Sequence, residues 1–450
     1  METEASVKRT YVGSLRCQRE SLLLDGFKTF VISSDPIENN GKKAKGVKKY
    51  EVELQDTILF PEGGGQPSDT GFLKLIGDAQ NVNIPVDYVH RAGLHAKHEV
   101  DRHIEPGTEV EITVDADRRL DYMQQHTGQH LLSAILDTKY KLNTVSWSMG
   151  GVPTEKKPQL EINDYFNYVE LDGKLSFEEV SEISKIIEDY IILNHQDISV
   201  EESTPEQQAD VKTHKVPDDY DLEKGILRTI HIGSLDANPC CGTHLTSTSQ
   251  IGSFLILPNQ TNIRGNNSRL YFICGNRVAK YGRLANEILF KSKNILSCPE
   301  QEITGKIEKM KDQIQKSSKR EQFWMKELAT YDAEKISQKL NDTGKAFLLR
   351  DEFGALDYLL QVSKELSSTI SNFSEYEIVL CGREKQSASG SLIILSESGD
   401  KIVKISDSLF ALLETLKGGG GKKGGKWQGK IANFSDSQYN ASLDYLSTNF

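Results

Sequence analysis

The chain has 450 residues and 50.4 kDa, enough for about two to four domains with their own cores. Its composition, 37% hydrophobic and 26% charged, is that of a soluble globular protein, and its longest apolar runs are a few residues where a membrane span needs about 20. A net charge of −11 excludes a uniformly basic nucleic-acid binder, although local basic patches remain open to it.

The opening METEASVKRT has no apolar h-region, and its acidic residues do not suit a transit peptide, so no targeting segment is expected. Residues 1–105 read as a β-rich module resembling a small antiparallel barrel. FKTFVISSD, YEVELQDTILF, GFLKLIG, VNIPVDYVH, KHEVD and VEITVD read as strands, with GKKAKG and PEGGGQPSDTG as loops. Residues 106–275 mix both periods and form an α+β domain. DADRRLDYMQQHTGQHLLSAILDTKY places Leu120, Met123, Leu131, Ala134 and Ile135 at helical spacing, with Asp115 or Asp117 as cap. VSWSMG, QLEIND and NYVELDG follow as strands. FEEVSEISKIIEDYIILNH is a helix, and a polar loop spans about 202–222. ILRTIHIGSLDANPCCGTHLTSTSQIGSFLIL and SRLYFICG resume strand character.

Residues 276–343 form a helical linker. Ile303, Ile307, Met310 and Ile314 step 4-3-4, Ser317 and Glu321 interrupt, and Trp324, Leu328 and Tyr331 resume the seam. The linker is expected to be a helical hairpin or short coiled coil, with Pro299 breaking the helix ahead of it. A helix packed on its own domain fits the pattern equally. Residues 344–450 read strand, helix, strand, strand, helix, glycine loop, helix, a small α/β domain. Of the two lysine-rich stretches, GKKAKGVKK (41–49) reads as a solvated loop. KGGGGKKGGKWQGK (417–430) carries glycine far above its usual share of about 7% and reads as a purpose-built loop.

HTGQH (126–130) places His126 and His130 one turn apart on a helix face. Chance alone supplies about 0.2 such pairs in a chain of this histidine content, so the pair decides nothing by itself. NPCCGTHLT adds Cys240 and His244 at the same interval, and both patterns together have a chance expectation of about 0.03. Three imidazoles and a thiolate make a tetrahedral zinc set. The six cysteines, at 17, 240, 241, 274, 298 and 381, form no disulfide framework. A reducing cytoplasm is expected, where Cys/His clusters bind metal. Spacing does not separate Cys240 from Cys241. Thr127 stands where metallopeptidases of the His-Glu-x-x-His type carry their glutamate base, which disfavours that chemistry. Four protein ligands close a zinc site, so a purely structural ion stays open unless the cysteine loosens.

FPEGGGQPSDTG (60–71), HTGQH and CCGTH (240–244), in that order, resemble the editing portion of alanyl-tRNA synthetase, and most of all the free-standing alanyl-tRNA editing proteins of the AlaX type in their larger form. The resemblance covers most of 10–275. From 276 it rests on architecture and on a glycine-rich segment matching the family's RNA-contacting loop. It implies one zinc on His126, His130, Cys240 and His244, with register choosing Cys240. It further implies a pocket or tRNA-end wall at Gly63, Gly64, Gly65 and Gln66, and catalytic polar neighbours at Thr127, Gln129 and Thr243. The implied activity is ATP-independent hydrolysis, in trans, of tRNA(Ala) mischarged with serine or glycine, since no class-II ATP-binding signature precedes the motifs. Two positions depart from the family: Gln129, where many members carry threonine, and Trp147, where the synthetase has a glutamine. These departures favour an alternative, a non-catalytic tRNA- or protein-binding relative with a structural zinc; an editor of another amino acid or of a D-aminoacyl ester is a third reading. No membrane partner is expected. The sequence leaves open a monomer or a dimer through the helical linker or the C-terminal domain.

Overall fold

The computed structural model describes residues 9–37, 48–77, 82–153, 157, 159–204, 225–370 and 375–450. Most of the lysine stretch at 41–49, and most of the polar loop expected at 202–222, lie outside the described residues. The protein is a multidomain α+β chain dividing into two compact units, Met1–Phe290 and Lys291–Phe450. Among the described residues no helix is long and apolar enough to cross a membrane.

In the first unit a short helix α1 (Arg16–Arg19) leads into a closed barrel. Its strands are β1 (Phe27–Pro36), β2 (Tyr50–Leu54), β3 (Gly71–Leu75), β4 (Asn83–Ala92), β5 (His95–Val100) and β6 (Glu109–Val114), in the order β1-β2-β5-β4-β3-β6. Alternation drives it: Val110, Ile112 and Val114 point into the core while Glu109, Glu111 and Thr113 point out. YEVELQDTILF, expected as one strand, stops pairing at Leu54. Asp56 turns the chain there, its Oδ1 accepting from the backbone N–H of Arg16 at 2.9 Å and of Thr57 at 2.8 Å.

Helix α2 (Ala116–Ile135) is capped by Asp115, whose side chain accepts from Arg118 N at 3.1 Å. It is buried nearly all round from Tyr122 to Leu132. Gln125 fixes it to the sheet, donating to Cys274 O at 3.1 Å and accepting from Cys274 N at 2.9 Å. Gly128 lets the helix close on that strand, since a Cβ there would collide with Cys274 Sγ. Beyond a π-helical turn (Leu136–Tyr140) come β7 (Thr144–Ser148), β8 (Asn167–Leu171), α3 (Phe177–Ile192), β9 (Ile198–Ser203), β10 (Leu227–Ile232), β11 (Asp236–Pro239), β12 (Phe254–Asn262) and β13 (Ser268–Cys274). They form a four-stranded sheet, β12-β13-β8-β7, and a three-stranded one, β11-β10-β9. The strand expected at QLEIND is instead a 3-10 turn, Ile162–Tyr165, because Asp164 Oδ2 captures Glu161 N at 2.7 Å. Helix α4 (Asn276–Leu296) follows.

The second unit contains α5 (Ile303–Thr343), β14 (Lys345–Arg350), α6 (Leu356–Thr369), β15 (Glu377–Glu384), β16 (Ser389–Ser396), α7 (Gly399–Leu412), β17 (Leu416–Gly420), β18 (Gly425–Ile431) and α8 (Asp436–Asn449). The sheet runs β14-β15-β16-β18-β17. Ile378 and Leu380 face a core with α5 and α6, while Val379 and Cys381 face one with α7 and α8. The expected glycine loop is a β-hairpin. Trp427 lies across it, and a Cβ on Gly418 or Gly429 would come within 2.6 or 2.5 Å of the indole. Glycine is needed there for packing.

One residue on α2 reverses the sequence reading. Leu120, assigned to the apolar face, is 37% exposed, whereas Arg119 is fully buried. Arg119 pairs with Asp69 of the PEGGGQPSDTG segment and donates to Ser21 O at 2.8 Å and to Ile58 O. Asp69 also accepts from Phe60 N at 2.7 Å, so the pair ties the barrel loop to the helix. Arg119→Met is expected to cost about 3–5 kcal/mol in urea unfolding of the full chain, and adding Asp69→Leu to restore part of it by removing the stranded carboxylate.

Candidate metal centre

His126 and His130 project from one face of α2, and Cys240 and His244 from the loop after β11. Their ligand atoms all lie within 4.8 Å of one another. Cys240 Sγ is 3.4 Å from His126 Nε2 and 3.3 Å from His244 Nε2. The rings crowd, with centroids at 5.2 Å for His126–His130, 4.4 Å for His126–His244 and 4.7 Å for His130–His244.

Hydrogen bonds fix which ring nitrogens face inward. Gln66 Oε1 accepts from Thr243 N at 3.0 Å and lies 2.9 Å from His126 Nδ1. The backbone N–H can only donate, so the atom it meets is the amide oxygen. His126 Nδ1 must then carry the proton, leaving the Nε2 lone pair toward Cys240. Gln66 Nε2 completes the clamp by donating to Thr243 Oγ1 at 2.8 Å. On the far side Thr127 Oγ1 accepts from Leu245 N at 3.1 Å and stands 3.5 Å from His244 Nδ1, turning His244 Nε2 toward the same sulphur.

Burial, reinforced by the neighbouring imidazoles and the Arg228 guanidinium, holds His126 and His244 well below the ordinary histidine value, so both are neutral donors. Arg228, itself buried, donates to Gly242 O at 2.8 Å, Cys240 O at 3.3 Å and Gln18 O at 2.7 Å, shaping the ligand loop. Gly242 is obligatory, since a Cβ would enter the His126 ring.

The donor set fits a zinc ion. Tetrahedral zinc with Zn–S about 2.3 Å and Zn–N about 2.0 Å spaces sulphur and nitrogen about 3.5 Å apart. The sulphur–nitrogen spacings here are 3.3 and 3.4 Å. Geometry separates the two cysteines. Cys241 turns away toward the glycine loop, where a Cβ on Gly64 would lie 2.8 Å from its Sγ, and burial holds its thiol above the ordinary value.

The cluster opens on a cleft of about 300 Å³ lined by Gly64, His126, Gln129, His130, Ser133, Trp147, Asn238 and Cys240, among others. Gln129 is at its edge, its amide donating to Ser133 Oγ at 2.8 Å. Trp147 forms a wall, its ring 4.9 Å from His126 and close enough to Gly65 that a Cβ there would stand 2.8 Å from the indole. Gly64 and Gly65 take φ of +62° and +81°, left-handed conformations that suit glycine. Of the pocket-wall and catalytic residues expected from the sequence, Gly64 and Gln129 line the cleft together with the ligands His126, His130 and Cys240, while Gly63 and Gly65 are not among its lining residues. Thr127, Thr243 and Gln66 are fully buried behind the ligands, where their polar atoms hold the rings rather than face the opening. Arg228 was missed: a lone arginine in a strand carries no sequence signal of burial.

A three-imidazole, one-thiol cluster that could hold a metal ion lies at the mouth of a cleft in an α+β region beside a barrel, and residues 227–271 match the family described as threonyl and alanyl tRNA synthetase second additional domain. The chain is 56% identical to the putative alanyl-tRNA editing protein alaX of Saccharomyces cerevisiae over 447 residues, covering 98% of this chain and 97% of that protein. It is 30% identical to the alanyl-tRNA editing protein Aarsd1 of Bos taurus, covering 97% and 99%. It is 28% identical to the alanine–tRNA ligase of Pyrococcus furiosus, covering 86% of this chain and 40% of the ligase. The chain belongs to the free-standing alanyl-tRNA editing proteins of the AlaX type.

Gln66→Leu, which frees the His126 ring without touching a ligand, is expected to weaken metal binding about 10–100-fold in competition titrations with a chromophoric chelator. Cys241→Ser is expected to leave it unchanged, and equal losses in both would reject the assignment of Cys240.

Proposed function

We propose that the protein is a trans-editing hydrolase that removes serine, or glycine, from mischarged tRNA(Ala), with one zinc per chain on His126, His130, Cys240 and His244. The observation that carries this reading is the convergence of four candidate ligands, two of them oriented by Gln66 and Thr127, at the mouth of an open cleft. When bound, zinc supplies a localised positive charge for a substrate oxygen or nitrogen, or for a water. The aminoacyl ester is already activated, so a positioned water and charge stabilisation suffice.

Selectivity then falls to the chain's own cleft residues. Serine differs from alanine by one hydroxyl, and a site that hydrogen-bonds a hydroxyl discriminates strongly against its absence. Gln129 and Ser133, joined at 2.8 Å, supply the polar edge, and the Trp147 indole limits side-chain size. Thr127, Thr243 and Gln66 act as positioning residues through the ligand rings. Gly64 offers bare backbone to the incoming 3′ end. In the second unit, exposed Lys417, Lys422, Lys423, Lys426 and Lys430 of the β17–β18 hairpin suit the tRNA phosphates. The reading places this work in the cytoplasm, without ATP.

Metal analysis is expected to find about one zinc per chain, and His126→Ala or chelation to abolish deacylation of Ser-tRNA(Ala), zinc restoring the chelated enzyme. Zinc-loaded protein that leaves Ser-tRNA(Ala) intact at the buffer rate would leave the non-catalytic binding reading in its place. Replacing Lys422, Lys423 and Lys426 by alanine is expected to weaken tRNA binding and to lower the slope of log affinity against log salt by about 2–3, measured by filter binding across a salt series.

A further inference from the structure

Strand β11 carries two polar side chains on the apolar side of its sheet. Its pairing sets Asp236 opposite Ile232 and Asn238 opposite Ile230. The ladder continues with Cys240 N donating to Arg228 O at 2.9 Å. Residues directly opposite one another in an antiparallel pair point to the same side. Ile230 and Ile232 are buried in the domain core, so Asp236 and Asn238 turn to that side too, half-buried at the sheet edge. Ala237 between them is exposed. Alternation therefore puts Asp236, Asn238 and Cys240 in one row, about 7 Å per step, that ends at a candidate metal ligand.

We propose that Asn238 binds the protonated α-amino group of the aminoacyl ester, and that Asp236 orients it to do so. The inference rests on the editing function proposed above. Asn238 Nδ2 lies 2.6 Å from each oxygen of the Asp236 carboxylate. A carboxylate only accepts, so the atom it holds is the amide nitrogen. Asn238 lines the cleft of about 300 Å³ beside His126, Gln129 and Cys240, whereas Asp236 is not one of its lining residues. The nitrogen end of the amide is thus turned away from the cleft, and Oδ1 lies on the cleft side. Among the described residues nothing donates to that oxygen. A half-buried carbonyl facing an open cleft is an acceptor kept for a donor from outside.

Charge selects the donor. The bond to Asp236 polarises the amide and raises the negative charge on Oδ1, as in any chain of hydrogen bonds. Among the described residues no carboxylate lines the cleft, so this amide is where the field of one reaches it. The cation that an aminoacyl ester brings is its α-ammonium group, and hydrogen bonds to a charged partner are about twice as strong as neutral ones. Serine, glycine and alanine share that group. The contact therefore holds aminoacyl esters as a class against N-blocked ones, and the side chain is left to Gln129 and Ser133. A nitrogen held at Asn238 is also unavailable as a metal ligand.

The test is equilibrium binding of two non-hydrolysable probes by the full-length, zinc-loaded protein. One is tRNA(Ala) carrying a 3′-amide-linked seryl group. The other carries 3-hydroxypropanoyl, which keeps the hydroxyl and lacks the amine. Asn238→Ala is expected to weaken the seryl probe by about 10–100-fold and to leave the des-amino probe within about two-fold, which also shows that the variant is folded. Asp236→Asn, which keeps the shape and removes the charge, is expected to weaken the seryl probe by about 3–10-fold. Equal losses on both probes, or no loss on either, would overturn the proposal and leave the editing function standing. Wild-type protein that binds the seryl probe no better than uncharged tRNA would overturn both.

Discussion

The bond from His126 Nδ1–H to the Gln66 carbonyl is the constraint on which the centre depends. The same oxygen accepts from Thr243 N, so the amide cannot flip and the ring cannot change tautomer without stranding a buried backbone donor. Three segments meet in this arrangement: the barrel loop through Gln66, the helix through His126 and the ligand loop through Thr243. The barrel is therefore part of the candidate metal site. Its glycine turn, closed by Gly63 N to Gln66 O at 3.1 Å and Gln66 N to Gly63 O at 3.0 Å, presents the amide that orients a ligand on another domain.

Buried arginines do the comparable job for backbone carbonyls. Arg119 serves Ser21 and Ile58, Arg228 serves Gln18, Cys240 and Gly242, and Arg277 serves Gly150 and Tyr165 at 3.0 and 2.8 Å. These carbonyls belong largely to irregular segments around the site, where no ladder satisfies them. A planar guanidinium with five donors can satisfy several at once. Arg119 and Arg277 are neutralised by Asp69 and Asp121. Among the described residues no carboxylate forms a salt bridge with Arg228, whose donors go instead to the carbonyls of the ligand loop and of Gln18.

Local signals were legible in the sequence; long-range partners were not. The alternation of β5 and β6, the cap at Asp115, the four-residue spacing of His126 with His130 and of Cys240 with His244, and the family motifs all express short-range periodicity or fixed spacing. Gln66 and Thr243 lie 177 residues apart, and neither shows by type that its polar atoms are spent on the other. Arg119 carries no local sign of burial, since its counter-ion Asp69 is 50 residues away. QLEIND and the second half of YEVELQDTILF have strand-like residues, but Asp164 and Asp56 bind local backbone amides and override that preference.

Glycine shows the same limit in a more instructive form. The chain twice sets glycines against an indole: Gly65 under Trp147 beside the cleft, and Gly418 and Gly429 under Trp427 in the β17–β18 hairpin. A glycine-rich run suggests close approach of a ligand, yet at these positions the close approach is by a side chain of the same protein. Gly419, with nothing within 4 Å of its Cβ position, and the positive-φ turn glycines Gly420, Gly421, Gly424 and Gly425 are different. They carry Lys422 and Lys423 at the tip of a hairpin whose last ladder pair before the turn is Gly420 with Trp427. Flexible composition thus yields a paired, cationic projection. Its reach is set by the strand pairing from Leu416 to Ile431 rather than by the freedom that glycine has in an unfolded chain.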